Sequence, residues 1–166
     1  MNKFESILFA VIIGEFVFIC IQIGLLYSSP IHDYDPYMQL SAHELLDCGR
    51  HKIPEKRLTW NLLDTCVDQA NIRKVRAGRM PFIFRKSPPI AWVFKFWDKK
   101  NMFMAPKYEK MTPIDRAYVV IHECTHLMLN SEDHAYHWQE KFDNLTIQEH
   151  ANNADSFLVE LFQHCG

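Results

Sequence analysis

Apolar positions recur along the chain in several distinct rhythms. From Ile7 to Tyr27 nearly every residue is apolar, ILFAVIIGEFVFICIQIGLLY, and a run of about 20 such residues matches the length of a membrane-spanning helix. Glu15 and Gln22 interrupt it, as residues at a helix contact do. Asp33 to Tyr37, with Pro30 and Pro36, reads as a linker. Ser41-Ala42-His43-Glu44 has capping-box form and predicts a short helix that Gly49 ends. Apolar residues at helical spacing predict a second helix from Leu58 to Ala77, with Trp60, Leu63, Val67 and Ala70 inward and Gly78 at its end. The rhythm then changes. Phe82-Ile83-Phe84, Ala91 to Trp97 and Met102-Phe103-Met104 are β-branched or aromatic runs separated by Pro88-Pro89 and by Asp98-Lys99-Lys100-Asn101, and they predict two or three strands.

Helical spacing returns at Met111. Thr112 reads as an N-cap, Pro113 as the first helical residue and Asp115 as the partner of a capping box. Beyond them Val119, His122, His126 and Leu129 share one face, while Ile114, Ala117, Ile121 and Met128 form an apolar stripe. Thr146-Ile147-Gln148-Glu149 is another capping box, opening a helix to Phe162 with Ile147, Ala151, Ala154, Leu158 and Leu161 inward. The expected class is α+β, mainly helical with a small β-sheet, preceded by an N-terminal hydrophobic helix.

With 166 residues the chain has room for one domain with a modest core. The expected division is residues 1–29 as a signal anchor or signal peptide and residues 30–166 as the folded domain. Lys3 precedes the apolar run, whereas His32, Asp33 and Asp35 follow it, which places the domain on the extracytoplasmic side. Leu26-Tyr27-Ser28-Ser29 offers a cleavage site, so membrane-anchored and secreted forms both remain open. The formal net charge of −2 points to no particular partner, and no nucleic acid is expected. Basic residues gather between Arg73 and Lys110 and acidic ones after Thr112; an acidic cleft of that kind draws in basic peptide, unless the two are simply solvated faces. Cys20 lies in the apolar run. Of the remaining Cys48, Cys66, Cys124 and Cys165, the preferred pairing is Cys48 with Cys66, leaving Cys124 to the core or to a bridge with Cys165.

The chemistry concentrates in His122-Glu123-Cys124-Thr125-His126. Two histidines four apart on a helix project from one face, so both rings reach a single ion, and Glu123 beside the first can serve as general base to a metal-bound water. An open zinc site needs a third protein ligand. Leu129 and Glu132 exclude a continuation with a third histidine at position 132. The residues alone leave Glu149 on a following helix, Asp133 nearby, and His134 or His137 as spare imidazoles. Asn153 and Asp155 are suited to orienting a ligand histidine. Asn144-Leu145-Thr146 is a glycosylation sequon, but Thr146 already has a role as a cap.

HECTH, then Asp133 and Tyr136 in SEDHAY, then Asn153-Ala154-Asp155, resembles the aspzincin family of zinc metallopeptidases, the deuterolysin and peptidyl-lysine metalloendopeptidase group. The resemblance covers roughly positions 100 to 160. It implies a zincin-like fold, Zn2+ held by His122, His126 and Asp133, Glu123 as catalytic base and Tyr136 as a donor to the oxyanion. It also implies a protein or peptide substrate. In lysine-specific members Asp155 helps line an acidic pocket with a second acid three positions on, where this chain has Leu158. Two other readings stay open: a non-catalytic zinc-stabilised binding module closed by His134 or His137, and an exported peptidase acting as a toxin or effector.

Overall fold

A computed structural model describes residues 3–28, 35–76, 89–95 and 98–166, with the side chains of the first helix described from Val11 onward. The strand expected at Phe82-Ile83-Phe84, the helix end expected at Gly78 and the boundary at Pro30 lie outside the described residues.

The N-terminal helix α1 spans Lys3–Tyr27. Its described apolar side chains are largely exposed, among them Ile12, Phe16, Val17 and Ile19. Among the described residues, no helix is long and apolar enough to cross a membrane. The last turn behaves differently: Leu26 is 1% exposed and packs with Val75, Trp92, Phe103 and Ala105.

Helix α2 runs Pro36–Lys52, starting earlier and ending later than Ser41 and Gly49 suggested. Asp35 supplies the N-cap, accepting from the N–H groups of Tyr37 and Met38 at 3.2 Å each, and Pro36 fits the first turn because its missing N–H is not needed there. Gly49 does not end the helix. It lies where α2 meets two neighbours: a Cβ here would stand 2.8 Å from Leu161 Cδ1 and 3.3 Å from Trp60.

Helix α3, Arg57–Gln69, buries Trp60, Leu63 and Val67 as the periodicity predicts. It stops well short of Ala77. Ala70 turns extended, and Asn71–Lys74 become strand β1, paired in parallel with Asn101–Met104; strand pairing overrides local helical spacing here. Strand β2 is Ala91–Phe94 and β3 is Asp98–Met104, so the Asp98–Asn101 segment expected as a turn belongs to a strand. The sheet order is β1-β3-β2. Alternation along β3 divides two cores: Met102 and Met104 face the helices, and Phe103 faces Leu26 and Trp92.

Helix α4, Pro113–Leu129, runs through the main core and is buried without a break from Val119 to Leu127. Ala117 and Ile121 point inward as expected, whereas Ile114 and Met128 are exposed. The final helix is broken in two, α5 (Ile147–Ala151) and α6 (Ala154–Cys165). Ile147, expected inward, is 91% exposed; the interruption at Asn152–Asn153 removes it from the apolar face that Ala154, Leu158 and Leu161 share.

The disulfides are Cys48–Cys165 and Cys66–Cys124, with Cα atoms 5.9 and 5.8 Å apart, not the expected Cys48–Cys66. The packing decides this. Cys124 projects from α4 on the side away from its histidines, where α3 lies, and Cys48 on α2 meets the end of α6. Sequence proximity of α2 and α3 was a poor guide to which faces touch.

Candidate metal centre

Helix α4 is fixed at both ends. Thr112 Oγ1 accepts from the Asp115 N–H at 3.3 Å and donates to its carboxylate at 2.6 Å. At the other end Asn130 takes a left-handed conformation, φ 55°, as a C-terminal residue does when the chain must reverse sharply. The reversal brings residues 131–133 back over the helix.

That return sets the histidines. His126 Nδ1 donates to the Ser131 carbonyl at 2.9 Å, and His122 Nδ1 donates to Asp155 Oδ1 on α6 at 3.0 Å. With both Nδ1 atoms occupied as donors, the two Nε2 lone pairs are left to point at a common position. They lie 3.2 Å apart, and Asp133 Oδ1 is 3.2 Å from His122 Nε2 and 3.3 Å from His126 Nε2. Three donors at metal bonds of about 2.0–2.1 Å in tetrahedral geometry would be separated by about 3.3 Å. The N2O triangle therefore fits a small tetrahedral cation, with a fourth position to spare. His122, His126 and Asp133 are the group of described residues that could hold a metal ion.

Electrostatics agree with the geometry. Burial pulls His122 toward its neutral form, but hydrogen bonds to Asp133 and Asp155 outweigh that and raise its pKa to about 10. Burial likewise opposes charge on His126, whose pKa is nevertheless raised by its hydrogen bond to Asp133 and by Glu123. Burial alone would raise the Asp133 carboxyl, yet the two imidazoles hold it well below the ordinary carboxylate range. The triangle is a place that attracts positive charge.

Glu123 is 6% exposed and has no hydrogen-bond partner among the described residues. Burial and the nearby Asp133 raise its pKa, while His122 and His126 oppose the rise. It is a carboxylate ready to accept a proton. Tyr136 also reaches the centre. Its ring stacks on His122, centroids 5.9 Å apart, and on Trp138 at 4.8 Å. Its hydroxyl stands 3.4 Å from Asp133 Oδ2, long for an O–H···O bond, so it is only loosely held. Burial and Asp133 push its pKa up, leaving it a neutral donor.

A cleft of about 1100 Å³ opens beside this centre, with His122, Glu123 and Tyr136 in its wall. The chain matches no protein-family model, no curated protein and no solved structure.

Each residue singled out in the sequence now has a place. His122, Glu123, His126, Asp133 and Tyr136 come together. Glu149 does not: its carboxylate accepts from the Thr146 N–H at 2.9 Å and hydroxyl at 2.7 Å, closing the capping box of α5. His134 and His137 stay out of the donor triangle. His137 Nδ1 lies 2.7 Å from Asp155 Oδ2. Asp155 orients His122 as its position suggested, but Asn153 does something else. Its Oδ1 accepts from the N–H groups of His134 and Ala135 at 2.9 and 3.2 Å, and its Nδ2 donates to the Ala135 carbonyl at 2.9 Å. Glu132 pairs with the same segment through an isolated parallel bridge to Asn153. Asn153 thus clamps the loop that carries Asp133. The Ser131 carbonyl and Trp138 were not legible in the sequence; a backbone acceptor has no side-chain signature, and an exposed aromatic in a loop has many explanations.

Proposed function

We propose that the protein is a zinc-dependent endopeptidase of aspzincin type, exported and either held at a membrane by its N-terminal segment or released. The observation that carries this reading is the buried Glu123, without a hydrogen-bond partner among the described residues, on a cleft beside the converging His122, His126 and Asp133. The mixed imidazole and carboxylate donor set suits zinc, which in such open sites lowers the pKa of a bound water and polarises a carbonyl. Extracytoplasmic location is supported by the two disulfides, since such bridges persist in oxidising compartments.

In this reading each side chain has a separate task. Glu123 takes a proton from the attacking water and delivers it to the leaving amine. Tyr136, neutral and loosely held, donates its O–H to the developing oxyanion. Asp155 and the Ser131 carbonyl keep the two imidazoles in the tautomer whose Nε2 faces inward. Among the described residues strand β2 lies at an edge of the sheet against α4, and an extended polypeptide could add to that edge through backbone hydrogen bonds.

The test is cleavage of an unstructured protein such as casein by the full chain, before and after chelation and in the Glu123→Gln variant. Hydrolysis that a chelator stops, that zinc restores and that Glu123→Gln abolishes supports the reading. Appreciable peptidase activity in Glu123→Gln contradicts the role given to Glu123.

A further inference from the structure

The two imidazoles of the centre are backed by unlike groups. His122 Nδ1 donates to the carboxylate of Asp155 at 3.0 Å, a charged acceptor on a core helix. His126 Nδ1 donates at 2.9 Å to the backbone carbonyl of Ser131, a neutral acceptor in the returning loop. A neutral acceptor makes the weaker bond. The direction of the Ser131 carbonyl therefore depends on what else holds it.

A cation does. Lys95 follows the last residue of β2, and its Nζ donates to the Ser131 carbonyl at 3.0 Å and lies 3.2 Å from Glu132 Oε1. A carbonyl oxygen has two lone pairs, so the one atom can accept from the imidazole and from the ammonium together. The Lys95 side chain is 19% exposed, and hydrogen bonds made largely out of water are strengthened. On their other sides the same two residues are held by helices. The Ser131 N–H donates to the Thr125 carbonyl at 3.3 Å, the Glu132 N–H donates to the Asn152 carbonyl at 2.8 Å, and the Glu132 carbonyl accepts from the Ala154 N–H at 2.9 Å. Lys95 ties this loop to the sheet. A bare ammonium beside a cation site would repel the cation, but the Glu132 carboxylate offsets that charge. What Lys95 supplies is direction.

Resting on the zinc site of the reading above, though not on its peptidase activity, we propose that Lys95 is a positioning residue of the metal centre. It fixes the Ser131 carbonyl as acceptor for His126 Nδ1–H, so that His126 Nε2 stays free of a proton and aimed at the position it shares with His122 Nε2 and Asp133. Without the ammonium the carbonyl is free to tilt, and His126 is no longer held to that tautomer. Asp133, two residues after Ser131, shifts with it. Groups that hydrogen-bond a metal-bound histidine typically change metal affinity by about 10–100-fold, and Lys95 stands one bond further out, so a loss of about tenfold is expected.

The experiment uses the full chain and reads zinc affinity by competition with a chromogenic chelator, together with the visible spectrum of the cobalt-loaded protein, which reports donor geometry. Lys95→Met/Glu132→Gln removes the ion pair at unchanged net charge. It should bind zinc about tenfold more weakly and alter the cobalt spectrum, whereas Lys95→Arg, which keeps a cationic donor, should restore both. Should the pair variant not fold, Lys95→Gln/Glu132→Gln, whose side chain at 95 ends one atom shorter than lysine, is measured with the same expectation.

Wild-type affinity and an unchanged cobalt spectrum in the pair variant overturn the inference while the metal centre stands. Weaker binding with an unchanged spectrum, or an equal loss in Lys95→Arg, assigns Lys95 to the general fold and overturns it as well. A wild-type chain that binds neither zinc nor cobalt removes the zinc site itself, and this inference with it.

Discussion

Asp155 Oδ1 lies 3.0 Å from His122 Nδ1, joining α6 to the middle of α4 across the main core. One carboxylate there does two things, fixing the imidazole's tautomer and, through Oδ2, holding the backbone of His137 in the loop after Asp133. Hydrogen-bond partners of metal-bound histidines typically affect metal affinity or activity by about 10–100-fold. Asp155→Asn should therefore weaken zinc binding by that order, measured by competition with a chromogenic chelator. Unchanged affinity would show that His122 needs no such support.

Proton release on metal binding follows from the same contacts. In the metal-free protein His122 has its pKa raised from 6.5 to about 10, so at pH 7 it carries a proton that a metal must displace. Titration calorimetry at pH 7 in buffers of different ionisation enthalpy should show about one proton released or more. The stability of the metal-free protein has a matching sign: the raised pKa stabilises the fold fully below pH 6.5, and that contribution fades as pH rises through about 10. A zinc titration with no proton release would contradict this.

Much of the centre was readable because a helix converts spacing directly into direction. His122 and His126 are placed on one face by period alone, and the capping residues Thr112 and Pro113 fix where that period begins. Asp133 was harder. It depends on a left-handed Asn130 and on Asn153 holding the returning loop, and neither is visible from spacing. The same limit explains the errors in the fold. Asn71–Lys74 looked helical because Leu63, Val67 and Ala70 continue a stripe, while their pairing with β3 is a contact between distant parts of the chain. The break at Asn152–Asn153 accompanies the bonds of Asn153 to the loop, so the apolar stripe from Ile147 to Leu161 spans two helices and not one.

The N-terminal helix ends inside the fold. Besides Leu26 in the second core, the Tyr27 carbonyl accepts from Arg73 Nη1 at 3.0 Å and the Tyr27 hydroxyl donates to Asp98. Leu26→Ala should cost about 2–5 kcal/mol, measured by denaturant unfolding of the full chain in detergent. A cost near zero would show that the last turn of α1 merely rests on the sheet.

The Cys66–Cys124 bridge ties α3 to the back of α4, the helix that carries His122 and His126. Replacing both cysteines by serine should lower stability by about 2–5 kcal/mol, and peptide mapping of the unreduced protein should recover the pairs Cys48–Cys165 and Cys66–Cys124. Recovery of a Cys48–Cys66 peptide would contradict the helix packing described above.

The most direct test of the central claim is the zinc content of the full chain and of its Asp133→Ala and Glu123→Gln variants, measured by elemental analysis after dialysis against a weak chelator. The account predicts one zinc per wild-type chain, loss of that zinc in Asp133→Ala, and its retention in Glu123→Gln. A wild-type protein that holds no zinc, or an Asp133→Ala variant that keeps it, would contradict the assignment of His122, His126 and Asp133 as the metal centre.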